Sequence, residues 1–232
     1  YDRLMNIPTL PQNIFNTMVE FRRDLHQYPE LSNQEKRTSQ KIKEHLDRLG
    51  VQYKCNVGGT GIVADLPGQM DGPLVALRAD TDALPVLEET GLPFSSKHDG
   101  VMHACGHDGH ASMLIGACEL LLGEQTKPVA PVRLIWQPAE EKGTGAKAMI
   151  EEGVLDNVGM IFGGHLDRHY LPGTMAISKG TVNASTDDFK LEIKGKQGHG
   201  GRPHEALDAI VVGSLLVTAL QTIVSREVDP AN

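Results

Sequence analysis

The sequence predicts an α/β fold, in which a mixed, mostly parallel sheet lies between helices in a three-layer domain. Short apolar runs typical of strands alternate with segments of helical periodicity, which indicates β-α-β units. The 232 residues are 40% hydrophobic and 22% charged, so the chain can bury a sizeable core. A change of pattern then predicts two domains, residues 1–182 and an incomplete α+β domain at 183–232.

Two helices are predicted at the start of the chain. Apolar residues recur at helical spacing from Ile14 to Leu25, before a Tyr-Pro pair that favours a stop. Ser32 followed by Glu35 is typical of a capping box, which predicts a second helix that ends at Gly50.

Apolar runs and turn residues predict five strands, with helices between the later ones. The strands are expected at 51–55, 61–66, 74–79, 132–136 and 160–162, and the helices at 109–122 and 145–152. Acidic residues and a histidine follow the predicted strand ends. Open α/β sheets bind ligands at this edge, so we expect these side chains to lie close together.

The second domain is predicted to begin with a half-exposed antiparallel strand, because Phe189, Leu191 and Ile193 alternate with charged residues. A long apolar run from Ala206 to Val224 predicts a packed amphipathic helix starting near His204, since polar residues interrupt the run on one stripe. That stripe also argues against a membrane-spanning segment.

Charge and cysteine usage limit the classes of partner and the compartment. The net charge of −8 and the pI of about 5.7 disfavour nucleic acid and anionic membranes, because no basic run is present to neutralise phosphates. A small-molecule partner is expected. Three cysteines are an odd number, which favours a reducing compartment, and no secretory signal pattern opens the sequence, so the cytoplasm is the expected location.

The stretch from His103 to His110 is the strongest functional signal. It contains three histidines, Cys105 and two glycines that allow a tight turn, and this combination indicates a metal site. Cys105 and His107 are the better ligand candidates. His103 and His110 are alternatively groups that hold a ligand in place.

The carboxylates suggest the partners of this stretch. In the pair Glu140-Glu141, one carboxylate can bind a metal while the other acts as a base, although two solvated acids at a helix start would give the same pattern. Asp80 and Asp82 follow a strand and can orient a ligand histidine or end the strand in an Asx turn.

Two further histidines are candidate site residues, and Cys105 has an alternative role. His165 follows two glycines after a predicted buried strand and is a ligand candidate or a satisfied strand-end histidine, and His199 lies among glycines in the second domain. Cys105 can instead be a nucleophile with His107 as its base. Metal-assisted hydrolysis uses more of the surrounding carboxylates.

Several motifs together resemble a family of metal-dependent amidohydrolases that includes aminoacylases, hippurate hydrolases and indole-acetyl-amino-acid hydrolases. The resemblance extends over nearly the whole chain. It rests on Arg23–Leu31, Arg78–Pro85, Met102–His110, Gln137–Glu141, Gly164–His165 and Gly195–His204. Lys142 and Thr144 depart from the family pattern, as does the segment 167–169.

The resemblance implies a catalytic domain with two divalent metals, zinc or manganese and alternatively nickel or cobalt. It also implies an inserted lid domain through which subunits form a homodimer. The matching metal ligands are Cys105, His107, Glu141 and His165; the matching catalytic residues are Glu140 as general base, Asp82 as the carboxylate that orients a ligand, and His199 as the lid histidine. The family pattern continues past Asn232, where a further histidine completes the metal site.

The expected reaction is hydrolysis of the amide bond of an N-acyl amino acid to a carboxylic acid and a free amino acid. A dipeptidase or carboxypeptidase with the same dinuclear site is the alternative within the enzymes. An inactive metal-binding fragment is the alternative outside them.

Overall fold

The computed structural model describes residues 10–123, 127–177, 179–180, 189–223 and 226. The chain divides into two compact units, Tyr1–Arg168 and His169–Asn232. The boundary predicted between residues 182 and 183 lies outside the described residues and stays a prediction. The first unit contains α1 (Gln12–Gln27), α2 (Lys36–Leu49), β1 (Tyr53–Val57), β2 (Gly61–Leu66), β3 (Leu74–Asp80), α3 (His107–Leu122), β4 (Val132–Gln137), α4 (Gly145–Glu151) and β5 (Val158–Gly163).

The strands of the first unit form one mixed sheet in the order β1-β2-β4-β3-β5. β3 runs parallel to both β4 and β5, whereas β2 is antiparallel to β1 and β4. The predicted mixed α/β sheet is confirmed. Because β3, β4 and β5 share a direction, the loops that follow them all leave the sheet at the same edge.

Helices cover both faces of this sheet, so the predicted three-layer arrangement is confirmed. On one face, Leu46 of α2 and Ile115 of α3 pack in a core with Trp136 of β4, and all three side chains are buried. On the other face, Met149 of α4 packs with Ile135. Side chains alternate across the strand, so neighbouring β4 residues serve opposite cores.

The second helix forms as predicted, but the predicted capping box is wrong. Its end is the expected one, with Gly50 in the left-handed region at φ 68°. At its start, however, Ser32 Oγ donates to Asp82 and the Glu35 carboxylate binds Ala139. The carboxylate of Glu30 instead accepts from two backbone N–H groups of the first turn, at 2.9 and 2.7 Å. Ser32 and Glu35 therefore serve contacts remote in the chain.

β5 forms where a strand is predicted, but the expectation that it is buried is wrong. Its apolar side chains Met160, Ile161 and Phe162 are 57%, 50% and 55% exposed. β5 is the edge strand and pairs only with β3 among the described residues. Apolar composition predicts the strand, whereas burial depends on what packs against it.

The second unit, as far as the structure describes it, lacks the strand predicted at its start, although its predicted helix forms. Residues 189–193 form no strand, and only an isolated antiparallel bridge joins Lys196 to Leu207. A lone strand without a paired neighbour has no ladder to stabilise it. α5 (Ala209–Thr222) does form, starting where the Asp208 side chain accepts from two backbone N–H groups.

The expectation that this long helix is packed is wrong for the described unit. None of the residues of α5 is buried, and Ile210 and Leu215 are 79% and 66% exposed. The elements that the structure describes in this unit are too few to cover the helix. Among the described residues, no helix combines the length and the apolar character needed to cross a membrane.

Candidate metal centre

The predicted site residues of the first unit meet at the edge where the three parallel strands end. Asp80 is the last residue of β3, Glu140 and Glu141 follow β4, and His165 follows β5. His107 is the first residue of α3, after Gly106 in a left-handed conformation at φ 87°. Four chain segments therefore contribute to one cluster.

His107 lies at the centre of this cluster. One of its ring nitrogens is hydrogen-bonded, and the other has no hydrogen-bond partner. Its Nδ1 is 3.2 Å from Asp82 Oδ1, and because a carboxylate only accepts, Nδ1 carries the proton. Its buried Nε2 has no hydrogen-bond partner. Carboxylate oxygens of Asp80, Glu140 and Glu141 lie 3.7, 3.8 and 3.8 Å from it. Burial opposes a charge on the ring, but the hydrogen bond to Asp82 and the surrounding acids raise the pKa of His107, so Nε2 is an atom at which these acids favour a proton or, in its place, a cation.

Cys105 and His165 form the other side of the cluster. Their Sγ and Nε2 atoms are 3.3 Å apart, and His165 Nδ1 donates to the carbonyl of Leu166 at 2.7 Å. The Nε2 lone pair of His165 therefore faces the sulfur. Ligand atoms of Cys105, His107 and His165 lie within 4.8 Å of one another, as do those of His107, Glu140 and Glu141. His107 belongs to both groups.

Asp82 connects the histidine to the loop that carries the glutamates. Its Oδ2 accepts from Ser32 Oγ at 2.7 Å and from the backbone N–H of Glu141 at 3.1 Å, while Oδ1 holds His107. Burial opposes the charge, but these hydrogen bonds lower the pKa of Asp82 to about 2. Asp82 is thus a buried anion with its lone pairs occupied, as expected of a group that orients a ligand.

Asp80 and His110 form a second buried pair beside His107. His110 Nδ1 donates to Asp80 Oδ1 at 2.6 Å, and His110 Nε2 accepts from the backbone N–H of Leu166 at 2.8 Å. Both ring nitrogens of His110 are therefore occupied. His110 holds the backbone next to His165, which agrees with the reading of it as a supporting group.

His103 lies apart from the ligand groups found among the described residues. Its side chain is buried, neither ring nitrogen has a hydrogen-bond partner, and burial lowers its pKa to about 4. Nearby, Asp108 of α3 accepts from His26 at 2.9 Å and from Arg22 at 3.1 Å. This network supports the start of α3 from the side of α1.

The surroundings of Cys105 keep its thiol protonated at neutral pH unless a cation is bound beside it. Burial, followed by the charge of Glu141, raises the pKa of the thiol to about 12. Burial also raises the pKa of Glu141. A thiol in this state is a poor nucleophile at neutral pH, which argues against Cys105 as a nucleophile. A divalent cation would reverse the preference, because a coordinating thiol loses its proton.

The residues present fit a divalent metal centre. His107 Nε2 and Glu141 Oε1 are both buried without a hydrogen-bond partner, and such atoms are rare in folded proteins unless something else satisfies them. Sulfur, imidazole and carboxylate donors together suit zinc and similar divalent ions. The acids also need positive charge to offset their mutual repulsion.

His199 belongs to the second unit and is exposed. Its Nδ1 accepts from the backbone N–H of Gly201 at 3.1 Å. A neutral imidazole that accepts at Nδ1 carries its proton on Nε2, so this side chain offers an N–H donor.

Sequence reasoning missed several residues that hold the site together. Arg78 donates to Asp80 Oδ2 at 2.8 Å and to the side chain of Gln137 at 2.9 Å, and thereby connects the ends of β3 and β4. Thr81 Oγ1 donates to the carbonyl of Gln137 at 3.0 Å. All three lie within motifs of the resemblance, but residue type alone gives no sign of these partners.

The sequence pattern of Peptidase family M20/M25/M40 matches residues 76–229. An N-acetyl-L-cysteine deacetylase from Bacillus subtilis is 46% identical over 97% of this chain and 53% of its own length. Thermostable carboxypeptidase 1 from Saccharolobus solfataricus is 45% identical over 94% of this chain and 56% of its own. The chain spans about half the length of these curated relatives.

A solved structure from Bacillus subtilis, described as a dinuclear metal binding peptidase from the M20 family, is also similar. It is 44% identical, with a TM-score of 0.65, and the match covers 68% of this chain and 44% of that one.

Proposed function

Because this chain belongs to Peptidase family M20/M25/M40, we propose that it carries the metal-binding site of a hydrolase that cleaves the amide bond of N-acyl amino acids. The products are a carboxylic acid and a free amino acid. The observation that carries the proposal is the buried, unpartnered Nε2 of His107, which faces three carboxylates and lies in one ligand group with Cys105 and His165. The deacetylase relative acts on an N-acyl amino acid by its name, which supports the substrate class.

The proposed ligands are Cys105, His107, Glu141 and His165, and the proposed cofactor is a pair of divalent ions. Zinc and manganese are the first candidates, and nickel or cobalt the next. The ions, when bound, supply Lewis acidity that polarises the scissile carbonyl and acidifies water. The solved relative described as a dinuclear metal binding peptidase supports two ions rather than one.

Glu140 is the proposed general base. Its side chain is 40% exposed and that of Glu141 21%, so Glu140 is the more accessible of the two to water and substrate. Its carboxylate takes the proton of the attacking water and returns it to the departing amine. General acid-base transfer of this kind typically contributes ~10²- to 10⁴-fold to the rate.

Asp82 and His199 have proposed supporting roles. Asp82 fixes the tautomer of His107 through Nδ1 and leaves Nε2 free to bind a metal. His199 supplies its Nε2–H to the developing oxyanion, an interaction whose loss typically costs ~10²- to 10³-fold in rate. Homodimerisation through residues 183–232 and a cytoplasmic location stay predictions.

The carboxypeptidase relative favours one second candidate, hydrolysis of a peptide bond with the same metals. The two reactions differ in the acyl group on the carbonyl side of the scissile bond. The test compares N-acetyl and N-benzoyl amino acids with unblocked dipeptides, using the zinc- or manganese-loaded chain.

Preferential turnover of the blocked amino acids, abolished by a chelator, is the expected result. Faster turnover of dipeptides would support the peptidase. About one bound ion, or two, without turnover of either substrate would indicate a metal-binding fragment, and no bound metal would refute the proposal.

A further inference from the structure

Glu35 is a buried carboxylate with no role in the proposed reaction. Glu35 is the residue immediately before α2 and is 1% exposed. Its side chain is among the largest fully buried ones of the described residues. Burying a carboxylate is costly unless hydrogen bonds replace water, so its partners indicate what it does.

Both oxygens of this carboxylate hold other parts of the first unit. Oε1 accepts from the backbone N–H of Ala139 at 2.8 Å, and Oε2 accepts from Thr60 Oγ1 at 2.7 Å. Ala139 is 104 positions away in sequence and immediately precedes Glu140. A side chain on a rigid helix is thus bonded directly to the loop with the two glutamates.

That loop has an unusual backbone at the point of contact. Ala139 is fully buried and lies in the left-handed region at φ 48°, a conformation that alanine rarely adopts and that its surroundings must hold in place. The carbonyl of Ala139 accepts from the N–H groups of Thr144 and Gly145, both at 3.3 Å. Glu35 is the acceptor for the other side of the same residue.

The hydrogen bonds of Glu35 and Asp82 lie on either side of Glu140. Glu35 binds the N–H of the preceding residue, and Asp82 binds the N–H of Glu141 at 3.1 Å. The proposed base and the proposed ligand therefore have their backbone fixed at both ends by buried carboxylates.

We infer that Glu35 is a positioning residue, which holds Ala139 in its left-handed conformation and thereby directs Glu140 and Glu141 into the site. Its effect on metal binding rests on the proposed function, whereas its effect on the loop does not. The experiment therefore measures both, and the two can fail separately.

Four variants separate positioning from general stability. Glu35→Ala removes both hydrogen bonds, and Glu35→Asp keeps the charge but is one methylene too short to reach both partners. Glu35→Gln keeps the length, because its carbonyl can accept from Ala139 while its amide donates to the Thr60 hydroxyl. Glu152→Ala is the control, since it removes another carboxylate bond to a backbone N–H, that of Gly58 at 3.0 Å.

The first readout is amide hydrogen exchange of residues 137–145, measured by mass spectrometry on the metal-free chain. Glu35→Ala and Glu35→Asp are expected to speed exchange in this segment by ~10-fold or more, as for the loss of one substantial interaction. Glu35→Gln and the Glu152→Ala control are expected to exchange at the wild-type rate there.

The second readout is titration with Co²⁺ alone, followed by its d–d absorption and by the sulfur-to-cobalt charge-transfer band of Cys105. Loss of a group that supports a ligand typically weakens affinity by ~10- to 100-fold, and this range is expected for Glu35→Ala and Glu35→Asp. Glu35→Gln is expected to restore the wild-type affinity and spectrum.

Wild-type exchange of residues 137–145 in a folded Glu35→Asp or Glu35→Ala would overturn the inference. So would weakened Co²⁺ binding in Glu35→Gln equal to that in Glu35→Ala, because the charge rather than the hydrogen bonds would then matter. Global unfolding of both shorter variants by circular dichroism would also count against it. If the wild-type chain binds no Co²⁺, the proposed function fails, and the exchange data alone decide the role of Glu35.

Discussion

Replacing Asp82 by asparagine tests the electrostatic account of the site most directly. The carboxylate accepts three hydrogen bonds, from Ser32, Glu141 and His107, and is buried at 1% exposure. An amide of the same shape has one accepting oxygen. If that oxygen faces His107, the NH₂ group meets the backbone N–H of Glu141, and two donors oppose each other. If it is flipped, the NH₂ group faces His107 Nδ1 and moves the proton onto Nε2.

The pKa of Asp82 sets the size of the expected effect. These contacts lower it from 3.8 to about 2, which at ~1.4 kcal/mol per pH unit corresponds to about 2 kcal/mol of folding free energy. Because the folded pKa is depressed, this contribution is present above pH 3.8 and is lost as the pH falls from 3.8 to about 2. We therefore expect Asp82→Asn to lower the free energy of unfolding at pH 7 by at least ~2 kcal/mol.

The assay is urea unfolding of the metal-free chain at pH 7 and at pH 3, together with Zn²⁺ titration of the folded variant. The loss of stability should shrink at the lower pH, and zinc affinity should fall by ~10- to 100-fold. Asp65→Asn is the matched control, because its half-exposed carboxylate binds Arg133 at 2.7 Å and surface pairs contribute at most ~1 kcal/mol. A loss at pH 7 equal to that of the control, with unchanged zinc affinity, would refute the reasoning.

Three further predictions follow from other groups. Glu140→Gln should retain both metals by elemental analysis and lose at least ~10²-fold in turnover, and activity within a few-fold of wild type would exclude Glu140 as the base. Alkylation of Cys105 by iodoacetamide at pH 8 should be slow in the metal-free chain, since its thiol pKa is about 12; rapid labelling by mass spectrometry would contradict that pKa. The hydrogen bond that His26 donates to Asp108 raises the pKa of His26, so the stability that this pair adds is present below pH 6.5 and is lost as the pH rises through the folded pKa. Urea unfolding should show a larger effect of His26→Asn at pH 5.5 than at pH 9, and an equal effect at both would show that the pair is not charge-dependent.

Periodicity and motif order predict much of the fold and the neighbourhood of the site. The five strands and five α-helices that the described residues form occur within a few residues of their predicted positions, because their apolar spacing is local information, whereas the further strand expected at 189–193 does not form. The convergence of Asp80, Glu140 and His165 follows from the shared direction of three strands, which the alternation of strands and helices already implies.

The details that local patterns cannot predict are those that depend on remote partners. Ser32 and Glu35 match a capping box, but their side chains bind Asp82 and Ala139, which only the folded chain brings near. His110 has a side chain of the type that binds metals, yet both of its ring nitrogens are used in hydrogen bonds within the protein. The predictions that β5 and α5 are buried are wrong for the same reason: neighbouring elements, rather than composition, decide whether a strand or helix is buried.

The exposed edge strand β5 affects how this chain behaves in solution. No strand of the described residues pairs with the outer backbone N–H and C=O groups of β5. These groups lie beside Met160, Ile161 and Phe162, each about half exposed, and no charged side chain occurs among residues 158–163. Such an edge is a template for cross-β addition of another copy, and natural sheets usually block it with lysine, proline or a covering segment. We therefore expect aggregation through the edge of β5 that increases with protein concentration. Dilution or the substitution Ile161→Lys is expected to suppress it.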